Sequence, residues 1–170
     1  SRTGWYHEEI LTAGHHQGFF ESVVPEGETE ASLVFRNYHI RPAGQTTFTI
    51  HSVNVGKEEV KSQTPILQIV TEIEDETAPS VLSAPETNVK VGLNPTGASQ
   101  EIEYLRDGKI KVTTDNNANA SYQLESNRFP VQPGQKIKVP YNIDVAEGGK
   151  MSIGVLNTKR NGWLSENILD

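Results

Sequence analysis

The chain has 170 residues, which is room for one domain or two small ones, and 15 Lys+Arg against 22 Asp+Glu leave a net charge of −7. Basic side chains scattered among more numerous acids offer no face that displaces counterions, so neither nucleic acid nor an anionic membrane surface is the expected partner. With no Cys, disulfides, thiolate zinc sites, iron–sulfur clusters and Cys nucleophiles are all excluded. No apolar run approaches the ~18 residues of a membrane span, and no basic-then-apolar signal opens the sequence.

In chain order, Trp5 and Tyr6 open the sequence in a turn-like stretch, and Pro25-Glu26-Gly27 marks the first clear turn. Residues 32–40 alternate as a strand, with Leu33 and Phe35 on one side and Val34, Arg36, Tyr38 and Ile40 on the other. Residues 46–55 repeat that rhythm after the turn Arg41-Pro42-Ala43-Gly44. Residues 56–63 have the one helical composition, two turns without an apolar stripe to dock. Residues 65–73 read as a strand, and 72–88, acidic and then rich in Pro, Ser and Ala, as a linker or crossover. Short strands follow at 89–93, 101–105, 109–113 and 121–125, punctuated by Asp107-Gly108 and Asp115-Asn116-Asn117. The clearest strand is 136–145, where Ile137, Val139, Tyr141, Ile143 and Val145 alternate with polar residues and Pro140. Residues 151–156 continue the pattern, and Ala146-Glu147-Gly148-Gly149 between them predicts a hairpin. Many short strands and little helix predict an all-β antiparallel sandwich of jelly-roll-like topology.

One motif occurs twice. Arg2, Gly4, Trp5, Glu8, Ile10 and Leu11 recur 158 positions later as Arg160, Gly162, Trp163, Glu166, Ile168 and Leu169, and the sequence has no other Trp. A repeat at that spacing implies a tandem array cut in mid-module. Residues 1–56 then form the second half of a β-sandwich module, 57–88 the linker or crossover, and 89–170 the first half of the next, the halves completing one sandwich within or between chains.

Joined in the order 89–170 then 1–56, the sequence runs from Asn94-Pro95 through Phe129-Pro130-Val131-Gln132-Pro133-Gly134, Trp163 and Val24-Pro25-Glu26-Gly27 to Gly44-Gln45-Thr46-Thr47-Phe48-Thr49-Ile50-His51-Ser52-Val53. That order resembles the jelly-roll carbohydrate-binding modules of polysaccharide-active proteins, with His51-Ser52 standing where the family usually has acidic residues. The resemblance implies a non-catalytic module of a larger protein, a polysaccharide or oligosaccharide partner, and an extracellular, cell-surface or periplasmic setting.

Sugar rings have flat C–H faces and hydroxyl edges, so their sites pair aromatic platforms with polar side chains that fork onto vicinal hydroxyls. The candidates are Trp5 and Tyr6 beside Arg2, Trp163 beside Arg160, and Arg36 with Tyr38 on one face of a strand. The competing assignments are rim packing for the indoles and a solvated sheet face for Arg36 and Tyr38. A structural or adhesive sandwich domain, dimeric or in tandem contact, is the alternative function.

Of the five histidines, His15 and His16 are adjacent, and neighbours on a strand point to opposite faces, so a transition-metal site is not expected. No cofactor is expected; a structural calcium would take its oxygens from loops such as those holding Asp107, Asp115, Asn116 and Asn117. No nucleophile elbow, phosphate loop or zinc helix is present, so the chain is not expected to be an enzyme, and a glycan lyase or hydrolase is the third reading. Glu8-Glu9 reads as solvated charge.

Overall fold

The computed structural model describes residues 5–38, 45–59, 86–97, 100–115 and 122–157, with the side chains of Trp5 and Tyr6 outside that set. All the regular structure among these residues is β-strand, paired antiparallel. No helix among them is long and apolar enough to cross a membrane. The strands are β1 (Trp5–Val23), β2 (Glu30–Asn37), β3 (Thr47–Val53), β4 (Val55–Glu58), β5 (Glu86–Val89), β6 (Leu93–Pro95), β7 (Gln100–Tyr104), β8 (Ile110–Thr114), β9 (Tyr122–Ser126), β10 (Phe129–Pro130) and β11 (Lys136–Asn157).

The organising element is β11. Its first half pairs with β3, which continues to β8 and β7; its second half pairs with β2, which continues to β9 and β6. Along its other edge runs β1, from Trp5↔Leu156 to Val23↔Lys136. The two wings fold over one core to which Leu33, Phe35 and Leu124 come from one side and Phe48, Ile50 and Val112 from the other. The result is an all-β, sandwich-like fold that nearly closes into a barrel.

The expected hairpin at 146–149 is not there: β11 runs through as one strand of 22 residues. The reason lies in its partner. β1 spans both halves, so the extra residues are absorbed as an irregularity between Thr12↔Lys150 and Gly14↔Val145 rather than reversing the chain. Gly148, at φ 74°, supplies the left-handed backbone this bend needs. The same break flips the parity of β1: Leu11 is buried before it, whereas Phe20, Ser22 and Val24 are buried after it or in the turn that follows. Bulges of this kind let long strands turn the corner between two packed wings.

Two further expectations change. Trp5 and Tyr6 open strand β1 rather than a turn, and Gly56, Lys57 and Glu58 belong to β4 rather than to a helix. β4 pairs with β5 from Val55↔Val89 to Glu58↔Glu86, so the two ends of the stretch 57–88 lie side by side. The predicted strand at 65–73 lies outside the described residues.

The core carries one buried polar knot. Thr46 Oγ1 donates to Asn37 Oδ1 (3.0 Å), Asn37 Nδ2 donates to Thr114 Oγ1 (3.2 Å), and the Asn37 amide donates to Gln123 Oε1. All four side chains are buried, and the knot ties the ends of β2, β8 and β9 together with partners for most of their polar atoms.

Candidate functional site

Two polar constellations stand out, one on each half of the β1–β11 ribbon. The first surrounds Arg36 and Tyr38. Core-facing Leu33, Phe35 and Asn37 place Val34 and Arg36 on the opposite face of β2, where Arg36 lies across from Ser152 of β11 and Ser152 across from Ile10 of β1. Glu8, two residues before Ile10, therefore reaches the same face. Its Oε1 accepts from Arg36 Nη2 (2.7 Å) and Nε (2.8 Å) and from Ser152 Oγ (2.6 Å). The Arg36 and Glu8 side chains are only 12 % and 17 % exposed and Ser152 is buried, so this is a largely desolvated ion pair. The guanidinium carbon of Arg36 lies 4.9 Å from the Tyr38 ring centroid and Lys150 Nζ 5.0 Å from it, a tyrosine held by two cations.

Glu8 is therefore not the solvated charge its sequence context implies. The bulge in β1 hides this from the sequence, because the alternation that would mark Glu8 and Ile10 as one face changes phase before Gly18 and Phe20. Arg36 and Tyr38 do sit together, as expected, but Arg36 already has a partner. Trp5 pairs through its backbone with Leu156, and its side chain and that of Tyr6 are outside the described set. Arg160 and Trp163 lie outside the described residues.

The second constellation was not assembled from the sequence. On β1, His15, Gln17 and Phe19 alternate with core-facing residues and lie opposite Asp144, Asn142 and Pro140 of β11. On β3, Ser52 pairs with Asn142 and Ile50 with Ile143, so His51 is the extra residue of a bulge. The bulge turns His51 outward while returning Val53 to the core side. Asp144 then sits between two imidazoles: His15 Nδ1 is 2.6 Å from Oδ1 and His51 Nε2 is 2.6 Å from Oδ2. An ionised carboxylate only accepts, so the proton sits on Nδ1 of His15 and on Nε2 of His51. His16, as its neighbour's opposite face requires, goes elsewhere, to the Thr12 carbonyl (2.6 Å).

The row continues with Asn142, whose buried Oδ1 has no hydrogen-bond partner among the described residues, and ends at Phe19, 56 % exposed with Lys138 Nζ 4.4 Å from its ring centroid. From His15 to Phe19 the row spans roughly 13 Å at the usual strand rise.

Hydrogen bonds from His15, first, and from His51 hold the Asp144 carboxyl below the ordinary aspartate value, against a small opposing effect of burial. A depressed carboxyl adds stability above its unfolded-state value and loses it as pH falls through the folded one. With the Asp144 side chain 48 % exposed the stability effect is small, so titration itself is the measurement. The Asp144 carboxyl carbon followed by NMR is expected to titrate below an ordinary aspartate, and to return upward in a His15→Ala/His51→Ala variant.

As for metals, Asp107 is occupied by Lys109 Nζ at 2.5 Å, Asp115 is exposed, and Asn116 and Asn117 lie outside the described residues. Among the described residues, no three His, Asp or Glu side chains gather as ligands. Neither His15 nor His51 is hydrogen-bonded to a Ser or Thr hydroxyl among the described residues.

No family model matches the chain, and neither a curated protein nor a solved structure gives a match.

Proposed function

We infer that the protein is a non-catalytic carbohydrate-binding module of a larger protein, and that the outward row on β1, β11 and β3 is its glycan-reading surface. The observation that carries this reading is the row itself: an exposed ring at Phe19, an amide side chain at Asn142, and a carboxylate between two imidazoles at Asp144, all on one face. A pyranose presents to such a surface an apolar C–H face for the ring and vicinal hydroxyls for the amide and imidazole groups. The row's length matches a short run of sugar units, and its groups already hold their orientation before a ligand arrives, which limits the entropy lost on binding.

Affinity electrophoresis against a panel of neutral and acidic polysaccharides tests it. Retardation by at least one polymer is expected, weakened about tenfold by Phe19→Ala, the change that ~1.4 kcal/mol represents. Trp5→Ala and Trp163→Ala run in the same gels report on the indole platforms. Migration unchanged by every polymer would end the glycan reading.

A structural or assembly domain is the second reading. The observation favouring it is that β1, 19 residues long, has β11 as its one strand partner among the described residues, while the sequence carries the first part of β1 a second time.

A further inference from the structure

One side of β1 is taken by β11, from Trp5↔Leu156 to Val23↔Lys136, and its other side has no strand partner among the described residues. Every second residue of β1 therefore aims its N–H and C=O away from β11. Natural sheets blunt such an edge by shortness, Pro or Lys. β5, β6 and β7, which also end rows of the sheet, are four, three and five residues long, and β6 ends in Pro95. In contrast, β1 has 19 residues and contains no Pro, Lys or Arg. Among the described residues the large exposed apolar side chains are Ile10, Phe19, Val23, Tyr104 and Leu105, and three of these five lie on β1. A long, unguarded edge with apolar side chains beside it is built to accept another strand.

The charges along β1 say which strand fits. Beyond the break at Thr12/Gly14, the outward residues are His15, Gln17, Phe19, Glu21 and Val23, all exposed. Two copies of β1 meeting antiparallel about a two-fold axis must pair residues of the same face. Centred on Gly18, which brings no side chain to the axis, they set His15 opposite the partner's Glu21 and Gln17 opposite the partner's Phe19, each contact made twice. Centring on Gln17 instead sets His15 against Phe19, and centring on Phe19 sets it against Val23, so both shifts lose the acid–base contact. On β11, Asp144 stands beside His15 and Lys138 beside Glu21. Across the joined sheet one row then reads Asp144, His15, the partner's Glu21 and the partner's Lys138, acid alternating with base. His15 gives Nδ1 to Asp144, and its second ring nitrogen, once protonated, donates to the partner's Glu21.

We propose that the far edge of β1 is a self-association surface, through which two copies of the chain pair antiparallel along residues 14–22 about Gly18 to make one continuous sheet. Nine residues paired this way exchange roughly eight to ten backbone hydrogen bonds. The contact uses the strand edge and leaves the outward face open, so it does not depend on glycan binding.

Sedimentation of the full chain at micromolar concentration tests it, and a dimer is expected. Gln17→Lys/Phe19→Lys places like charges opposite each other twice and should give a monomer, whereas Gln17→Glu/Phe19→Lys places opposite charges there and should restore the dimer. Both positions are exposed, and circular dichroism checks that each variant keeps its sheet. Disulfide trapping reads the register without those variants, because the natural sequence has no Cys. A Gln17→Cys chain mixed with a Phe19→Cys chain and oxidised should link into a mixed dimer, while a His15→Cys chain mixed with the same Phe19→Cys chain should not. A chain that stays monomeric, a dimer that survives the two lysines, or linking of the His15→Cys mixture as good as that of the Gln17→Cys mixture overturns the proposal.

Discussion

Replacing Phe35 with Ala is expected to cost about 3–5 kcal/mol of unfolding free energy, the range for a large aromatic removed from a core that cannot collapse around the gap. Phe35 is fully buried in β2, pairs with Ile153 on one side and Leu124 on the other, and lies among the residues that join the two wings. None of these neighbours can fill the void without leaving its own strand register. For a chain near this size the loss corresponds to a melting point lower by roughly 10 °C. Denaturant unfolding followed by circular dichroism measures it; a change under ~1 kcal/mol would mean that Phe35 does not sit at the centre of the core. Asp at the same site would bury a charge without a partner and should leave no folded protein.

Phe35 also illustrates what the sequence makes legible. Alternation of period two is a direct consequence of pleat geometry, so wherever it runs unbroken the buried face can be read off: Leu33 and Phe35, then Phe48 and Ile50, then Ile137, Val139, Tyr141, Ile143 and Val145 are all buried. What breaks alternation also breaks legibility. β1 carries Gly14 and Gly18, two adjacent His and a phase change at Thr12–Gly14, and no strand was expected there although it is the second longest. The hairpin predicted at Ala146–Gly149 fails for the mirror-image reason. A Gly-Gly pair codes equally well for a reversal and for a bulge, and the choice between them depends on whether a partner strand bridges the gap.

The candidate sites follow the same rule. Asp144 and His15 are 129 positions apart and Arg36 and Glu8 are 28 apart, separations at which no local pattern links them. His51 reaches Asp144 because one residue of β3 is extra, and a single-residue insertion has no signature in composition.

The Arg36–Glu8 pair is where the second large effect is expected. Removing one member of a buried pair leaves the other charge without compensation, worth about 3–5 kcal/mol when burial is complete and less here because both side chains keep some exposure. Arg36→Met should therefore cost ~2–3 kcal/mol. Adding Glu8→Leu to it should recover most of that, since an apolar pair of similar volume is often as stable as the ions it replaces. Glu8→Leu alone should cost less than Arg36→Met, because the guanidinium keeps the Ser152 hydroxyl and the face of the Tyr38 ring beside it, whereas a Glu8 carboxylate without Arg36 keeps the Ser152 hydroxyl but loses its cation. Urea unfolding of the three variants measures the difference, and equal losses for the two single substitutions would mean that the ring does nothing to hold the cation.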